Sequence, residues 1–391
     1  MKLYKKDSAF YGKVFTIAIP IALQSLISIG VNMLDTIMVG SLGDHALSAT
    51  SLANSFISIY HIFCMGLGMG ASVLVSRYWG MKNSTSEDSS IVGESANAGH
   101  ALEQTVALML RLALALAAIF ALLTLVIPGY LMKMYTPEAE IIRLGSIYFK
   151  WSVVTYFFLG TSLVSTIVLR SVGEVRFPLF VSIGAFFVNL GANYTFIFGK
   201  FGAPRMEIAG AALGTLIARV FEAVCILTYL LVIDKRIGFR IKDLFMNTGS
   251  LIGEYIRISI PVLISDAILA IGSNSVSMVI GRLGATFVSA NAITAVTQQL
   301  STVVIQGVSQ AGAIVTGQTL GMGDRKKTMQ QGWLFLGLGI ALGTVSALFI
   351  IIAKNPVIRS FKDVSDEARA IAQQLMWAIS LVIVFRLPTV L

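Results

Sequence analysis

The chain has 391 residues, 56% of them hydrophobic and only 13% charged, with a formal net charge of +9 and a mean hydropathy of +0.81. A soluble domain carries about a quarter charged residues, so this composition excludes an ordinary soluble enzyme and describes an all-α polytopic membrane protein. The positive charge fits basic loops that orient spanning helices rather than a nucleic-acid surface, and the two cysteines, Cys64 and Cys225, lie in apolar runs with no metal or disulfide framework.

Apolar length with polar or Gly/Pro punctuation predicts spans near 14–38, 47–75, 105–127, 146–169, 177–199, 207–233, 258–280, 287–320, 331–353 and 370–390. The basic amino-terminal stretch lacks a cleavage site after its apolar run, so no removable signal peptide is read. The first span contains Pro20, a single carboxylate at Asp35 and a closing Gly40/Gly43 pair. Between the second and third spans, residues 81–104 are polar and without periodicity, and are expected to form a mobile loop. With the amino terminus inside, Lys and Arg of the inner loops outnumber those of the outer loops, Lys2, Lys5, Lys6, Lys235, Arg236, Arg240 and Lys242 among them. That asymmetry predicts a cytoplasmic amino terminus.

The stretch from Ile17 to Ala49 returns without a gap at a shift of 241 residues. Pro20 falls on Pro261, Gly40 on Gly281, Leu42 on Leu283 and Gly43 on Gly284. Six spans precede the second copy, so both copies enter the membrane the same way round and form parallel repeats. The expected plan is two pseudo-symmetric lobes, residues 1–241 with six helices and residues 242–391 with four. The second lobe is two helices short of the first, which reads as an incomplete chain.

No phosphate-binding loop, HExxH, GxSxG or Cys/His cluster occurs, so neither an enzyme nor a bound cofactor or metal is expected. What remains are polar residues at helical spacing. Gln24, Ser28, Asn32 and Asp35 share one face of the first span, Asn54 and His61 mark the second, Asn189 and Asn193 stand one turn apart on the fifth, and Gln298 lies on the eighth. Asp266, Ser273 and Ser277 mark the seventh. Such residues either line a cavity for substrate and coupling ion or join helices by hydrogen bonds of about 0.6 kcal/mol. For Asp35 the first reading wins, because a carboxylate deep in an apolar run is costly and helix packing does not require one. Arg219 and Glu222, one turn apart, are expected to neutralise each other. Pro20 and Pro261 either bend their helices or enter first turns.

Pro20 to Ala49, with Asp35, Val39, Gly40, Leu42 and Gly43, resembles the opening helix of the multidrug and toxic compound extrusion (MATE) family. Leu169–Phe180 and Asn189–Arg219 look like that family's fourth-to-fifth and fifth-to-sixth helix segments. The resemblance spans nearly the whole chain. It implies twelve helices in two lobes, and a monomer in the bacterial cytoplasmic membrane that exports small cationic or amphipathic organic compounds in exchange for H+ or Na+. Asp35 matches the first-helix acidic residue of the prokaryotic branch, Asn189 a polar partner on the fifth helix, and Asn193 a position where some relatives carry a second Asp. Where another bacterial branch has a seventh-helix Glu, this chain has Leu269, and Asp266 is out of that register. The expected ion-coupling set is therefore Asp35, Asn32, Asn189 and Asn193. Gln24, Ser28, Asn54, Asp266 and Gln298 are expected in the substrate cavity, and Pro20 and Pro261 as hinges. A flippase for a lipid-linked saccharide shares the two-lobe plan and stays open, as does, more remotely, a non-transporting membrane receptor.

Overall fold

The protein is seen as a computed structural model that describes residues 8–83, 89–282, 285–360 and 366–386. Lys2, Lys5, Lys6, Leu283, Gly284 and residues 387–391 lie outside these, as do the side chains of Ser273 and Ser277. The described residues form helices α1 (Ser8–Gly40), α2 (Asp44–Lys82), α3 (Ser89–Val126), α4 (Pro128–Lys133), α5 (Ala139–Ser152), α6 (Thr155–Ser171), α7 (Arg176–Phe198), α8 (Ile208–Thr228), α9 (Gly249–Arg282), α10 (Ala285–Gly321), α11 (Arg325–Ser360) and α12 (Asp366–Arg386). A π-helical turn, Tyr229–Ile233, extends α8, and a 3₁₀ turn, Ile241–Phe245, interrupts the connection to α9.

Among the described residues, seven helical segments are long and apolar enough to cross a bilayer, α1, α2, α3, α7, α8 with its π turn, α10 and α11, or eight if the bent pair α5 and α6 counts as one span. Large apolar side chains project outward from them, such as Ile119, Leu122 and Val126 on α3 and Phe180 and Phe187 on α7. Hydrocarbon, not water, is the solvent in which such a surface is stable. Helices α9 and α12 occupy the positions of the expected seventh and tenth spans.

Two expectations are corrected. The fourth span is not one straight helix: α5 and α6 meet at a 58° bend. Apolar length registers the run 146–169 but is blind to a turn at Val153-Val154, where β-branched residues leave the hydropathy unchanged. The polar segment 81–104 is not a loop throughout, because α3 starts at Ser89. A helix that projects beyond the hydrocarbon needs no apolar periodicity to continue.

The chain groups into two compact units, Met1–Leu26 with Ser265–Leu391, and Ile27–Ile264. The boundaries fall inside α1 and α9, so the opening stretch of each repeat belongs with helices of the other half. In the second unit, Leu74, Leu102, Val106, Met109, Val168, Leu169, Ile226, Phe239 and Tyr255 form one core. In the first, Ile305, Ala347, Ile350 and Met376 pack together, and Ser346 Oγ donates to the Ser301 carbonyl at 2.7 Å across α10 and α11.

Glycines make the exchanged stretches possible. On α2, Gly66 and Gly70 lie against Leu263 and Ser259 of α9, so closely that a Cβ on either glycine would collide with them. Gly68, between them, faces Ile167 of α6. Tyr255 donates to the Leu67 carbonyl at 2.8 Å. Farther along, Arg77 Nη1 and Tyr78 Oη donate to the two oxygens of Glu254 at 3.2 and 2.9 Å. The first unit repeats this contact. Gly307 on α10, the repeat counterpart of Gly66, lies against Ala18 and Ala22 of α1, which are the counterparts of Ser259 and Leu263. Small residues let backbones approach where no hydrophobic effect drives association.

Pro20 and Pro261 therefore do not enter first turns. Each lies inside a helix, within the stretch pressed against the glycine face. Each removes one backbone bond, to the carbonyls of Thr16 and Arg257 respectively.

Replacing Gly70 by Val is expected to lower the stability of detergent-solubilised protein by about 1–3 kcal/mol through overpacking. Gly253→Ala, on the same α9 but facing open space, is expected to be neutral or to stabilise by up to about 1 kcal/mol. Thermal unfolding of the two variants side by side checks this.

Candidate ion-coupling site

Helix α7 brings the site together. It runs to Gly199, whose left-handed conformation (φ 66°, ψ 46°) closes the helix, with its N–H returned to the Thr195 carbonyl. Asn189 and Asn193 are one turn apart on its buried face, 3% and 1% exposed. Asn193 Nδ2 donates to Asp35 Oδ1 at 2.5 Å and to Asn189 Oδ1 at 3.2 Å, so both amide hydrogens are used. Asn189 is tied to the site through Asn193, whose amide it accepts.

Asn193 Oδ1 is buried without a hydrogen-bond partner and lies against Gly214 of α8, where a Cβ would collide with it. Gly210, one turn earlier, touches the Phe196 carbonyl in the same manner. The Gly210/Gly214 pair thus sets how near α8 comes to α7, and the depth at which Asn193 holds the carboxylate.

Around this centre lie further polar groups. Arg219 Nη1 donates to Glu222 Oε2 at 2.7 Å, the neutralising pair expected from their spacing. Tyr148 of α5 is buried and donates to Asn54 Oδ1 at 3.2 Å. The sequence offered no signal for Tyr148: its phenol reads as one more aromatic in an apolar run, and the bend between α5 and α6 was not foreseen.

The other expected residues are placed as follows. Asn32 is exposed, its main-chain carbonyl accepting from Thr36 Oγ1 at 2.7 Å, and it is not among the groups that hold Asp35. Ser28 is exposed on the same helix. Gln24 is buried, whereas Asp266 and Gln298 are half-buried. These three belong to the first unit and the Asp35 group to the second. Among the described residues, no basic side chain forms an ion pair with Asp35, and no His, Cys, Asp and Glu cluster could hold a metal ion. Chemically, the site is a carboxylate held by a neutral amide inside an apolar bundle, suited to exchanging a proton or a small monovalent cation.

The MatE family model matches residues 20–87, 89–195 and 261–391. The chain belongs to the MatE family, a family of membrane transporters. Among its relatives, the multidrug resistance protein NorM of Burkholderia vietnamiensis is 27% identical over 364 residues, covering 90% of this chain and 73% of that protein. A probable multidrug resistance protein NorM of Thermotoga maritima is 26% identical over 355 residues, 89% of this chain and 72% of the relative. Among solved structures, a MOP superfamily transporter of Pyrococcus furiosus superposes with a TM-score of 0.80 at 20% identity, covering 95% of this chain and 79% of that one. The Vibrio cholerae MATE transporter VcmN superposes at 0.84 and 16% identity, covering 96% and 81%. These superpositions agree with the all-helical, two-lobe plan.

Glu222 is only 15% exposed, so removing its partner alone leaves a poorly solvated charge. Arg219→Leu is expected to cost about 1–3 kcal/mol, and the Arg219→Leu/Glu222→Leu double variant to recover most of it. A double-mutant cycle of thermal stability measures that coupling.

Proposed function

We propose that this MatE-family transporter is a secondary-active multidrug exporter of the bacterial cytoplasmic membrane, with its amino terminus inside, coupled to H+ or Na+ through Asp35. The observation that carries the proposal is the hydrogen bond from Asn193 to Asp35, inside a run otherwise free of carboxylates. The NorM names of the relatives support the multidrug part. The substrates are small organic, cationic or amphipathic compounds, and the 15 Met and 23 Phe residues supply adaptable contact surface.

The coupling follows from what a proton or cation does to that contact. An ionised Asp35 accepts a charge-assisted hydrogen bond from the Asn193 amide. Neutralising it weakens that bond, which frees α1 between the amide-held Asp35 and the stretch around Pro20 that rests on Gly307. Pro20, with one backbone bond missing, is the point at which α1 yields. Pro261 plays the same part in α9. Any group that binds Asp35 more tightly in one conformation shifts the population toward it, and a substrate cation attracted to the same carboxylate competes with the ion.

Efflux of a cationic dye from proteoliposomes, driven by a pH gradient or a Na+ gradient imposed separately, tests the proposal. Transport under one gradient is expected to fall at least tenfold, about 1.4 kcal/mol of barrier, in Asp35→Asn. Asn193→Ala is expected to fall less, since the titratable carboxylate itself is kept. Pro20→Ala is expected to bind dye normally and turn over more slowly. Full-rate gradient-driven efflux by Asp35→Asn would overturn the assignment of Asp35, and no dye movement under either gradient would overturn multidrug export.

A further inference from the structure

The connection between α8 and α9, residues 234–248, is tied to the second unit at every turn. Arg240 Nη1 donates to the carbonyls of Leu231 and Val232, in the last turn of a membrane-spanning segment that ends at Ile233. Lys82 Nζ donates to the Arg236 carbonyl at 2.9 Å, and Arg236 pairs with Glu174 at 2.9 Å. Gln104 of α3 donates to the Asn247 carbonyl at 2.8 Å.

The clamp that sets the level of this connection is Arg111, which stands inside the apolar segment Asn97–Val126. Its Nε donates to the Leu244 carbonyl at 2.5 Å and its Nη2 to the Met246 carbonyl at 2.6 Å. Arg111 is fifteen residues from Val126, or about 22 Å along the helix axis. With Val126 placed at one boundary of a hydrocarbon layer about 30 Å thick, the carbonyls that Arg111 binds would lie near the other boundary.

Between those carbonyls, Phe245 turns its ring outward, 84% exposed, and Ile241, next to the clamped Arg240, is 66% exposed. Val232 is also 66% exposed at the end of the span below. Lys235 and Lys242, on the same connection as the two apolar tips, are exposed and outside every ion pair among the described residues. Exposed apolar side chains interspersed with lysines beside the end of a membrane span are the pattern of an interfacial lipid-binding segment.

We infer that this connection is a lipid-binding surface, with Phe245 and Ile241 seated in the acyl boundary and Lys235 and Lys242 held by the phosphates of anionic phospholipid. The clamps make it rigid, so it binds without paying for its own folding, and it fastens the link between the two repeats to the leaflet.

The test uses the transporter in nanodiscs of phosphatidylglycerol or phosphatidylcholine, in a Cys225→Ser background, with an environment-sensitive fluorophore on Phe245→Cys. A label on Lys200→Cys, in an exposed loop, serves as the aqueous reference. Quenching by lipids brominated on their acyl chains is expected at 245 and not at 200, with iodide quenching at 245 at least about fivefold weaker. Thermal stability is expected to be higher in phosphatidylglycerol than in phosphatidylcholine, and Lys235→Gln/Lys242→Gln is expected to abolish that difference while leaving stability in phosphatidylcholine unchanged. Iodide quenching at 245 equal to that at 200 would overturn the insertion. A lipid preference that survives the double substitution would overturn the role of the two lysines.

Discussion

The hydrogen bond between Asn193 and Asp35 expresses the constraint on which the rest of this structure depends: inside an apolar bundle, a polar group has to find its partners within the protein. A carboxylate there is tolerable only if donors are brought to it, and the donors come from a helix more than 150 residues away in the chain. Delivering them sets the spacing of α7 and α8, which is why Gly210 and Gly214 stand where those helices meet. The same constraint governs Arg111, whose guanidinium would be stranded in an apolar segment if the connection before α9 did not offer it carbonyls. It governs Arg219 and Glu222 as well, each the nearest available counter-charge of the other.

Packing supplies the second half of the architecture. Lipid tails are as apolar as the helices, so helices associate by close approach and by hydrogen bonds rather than by leaving water. The repeated contact of Gly66 and Gly70 with α9, and of Gly307 with α1, shows the consequence. One duplicated segment yields the same glycine-lined contact in both units, with the opening stretch of each repeat resting on helices of the other half. A proline then sits on each of these stretches, so the places where the backbone is weakest are also the places where it is gripped. The contact holds register across each stretch, while the proline leaves one backbone carbonyl of that stretch without its helical donor.

Much of the fold was legible in the chain because bilayer thickness is read directly as apolar length. Among the described residues, nine of the ten expected spans fall on single helices and the fourth on the bent pair α5 and α6, and the duplication was visible as a gapless shift. The pair Asn189 and Asn193 was legible by helical spacing, as was the Arg219–Glu222 pair. The misses have a common cause. The bend between α5 and α6, the helical start of α3 at Ser89, the phenol of Tyr148 and the clamp by Arg111 leave hydropathy unchanged or depend on a partner distant in sequence. Asn32 shows the converse. Its spacing put it beside Asp35, yet the donors that hold the carboxylate come from α7.

The sequence alone determined that the chain crosses a membrane many times, that it was built by duplication, that one carboxylate stands in its first span and which family that span resembles. Each of these follows from local composition or from self-similarity, which need no knowledge of contacts. Only the tertiary structure decided which amides reach Asp35, which glycines receive the opening stretch of each repeat, and how Arg111 is satisfied. Those are pairings across large sequence separations, and their energies depend on distances of a few ångströms that helical periodicity does not encode.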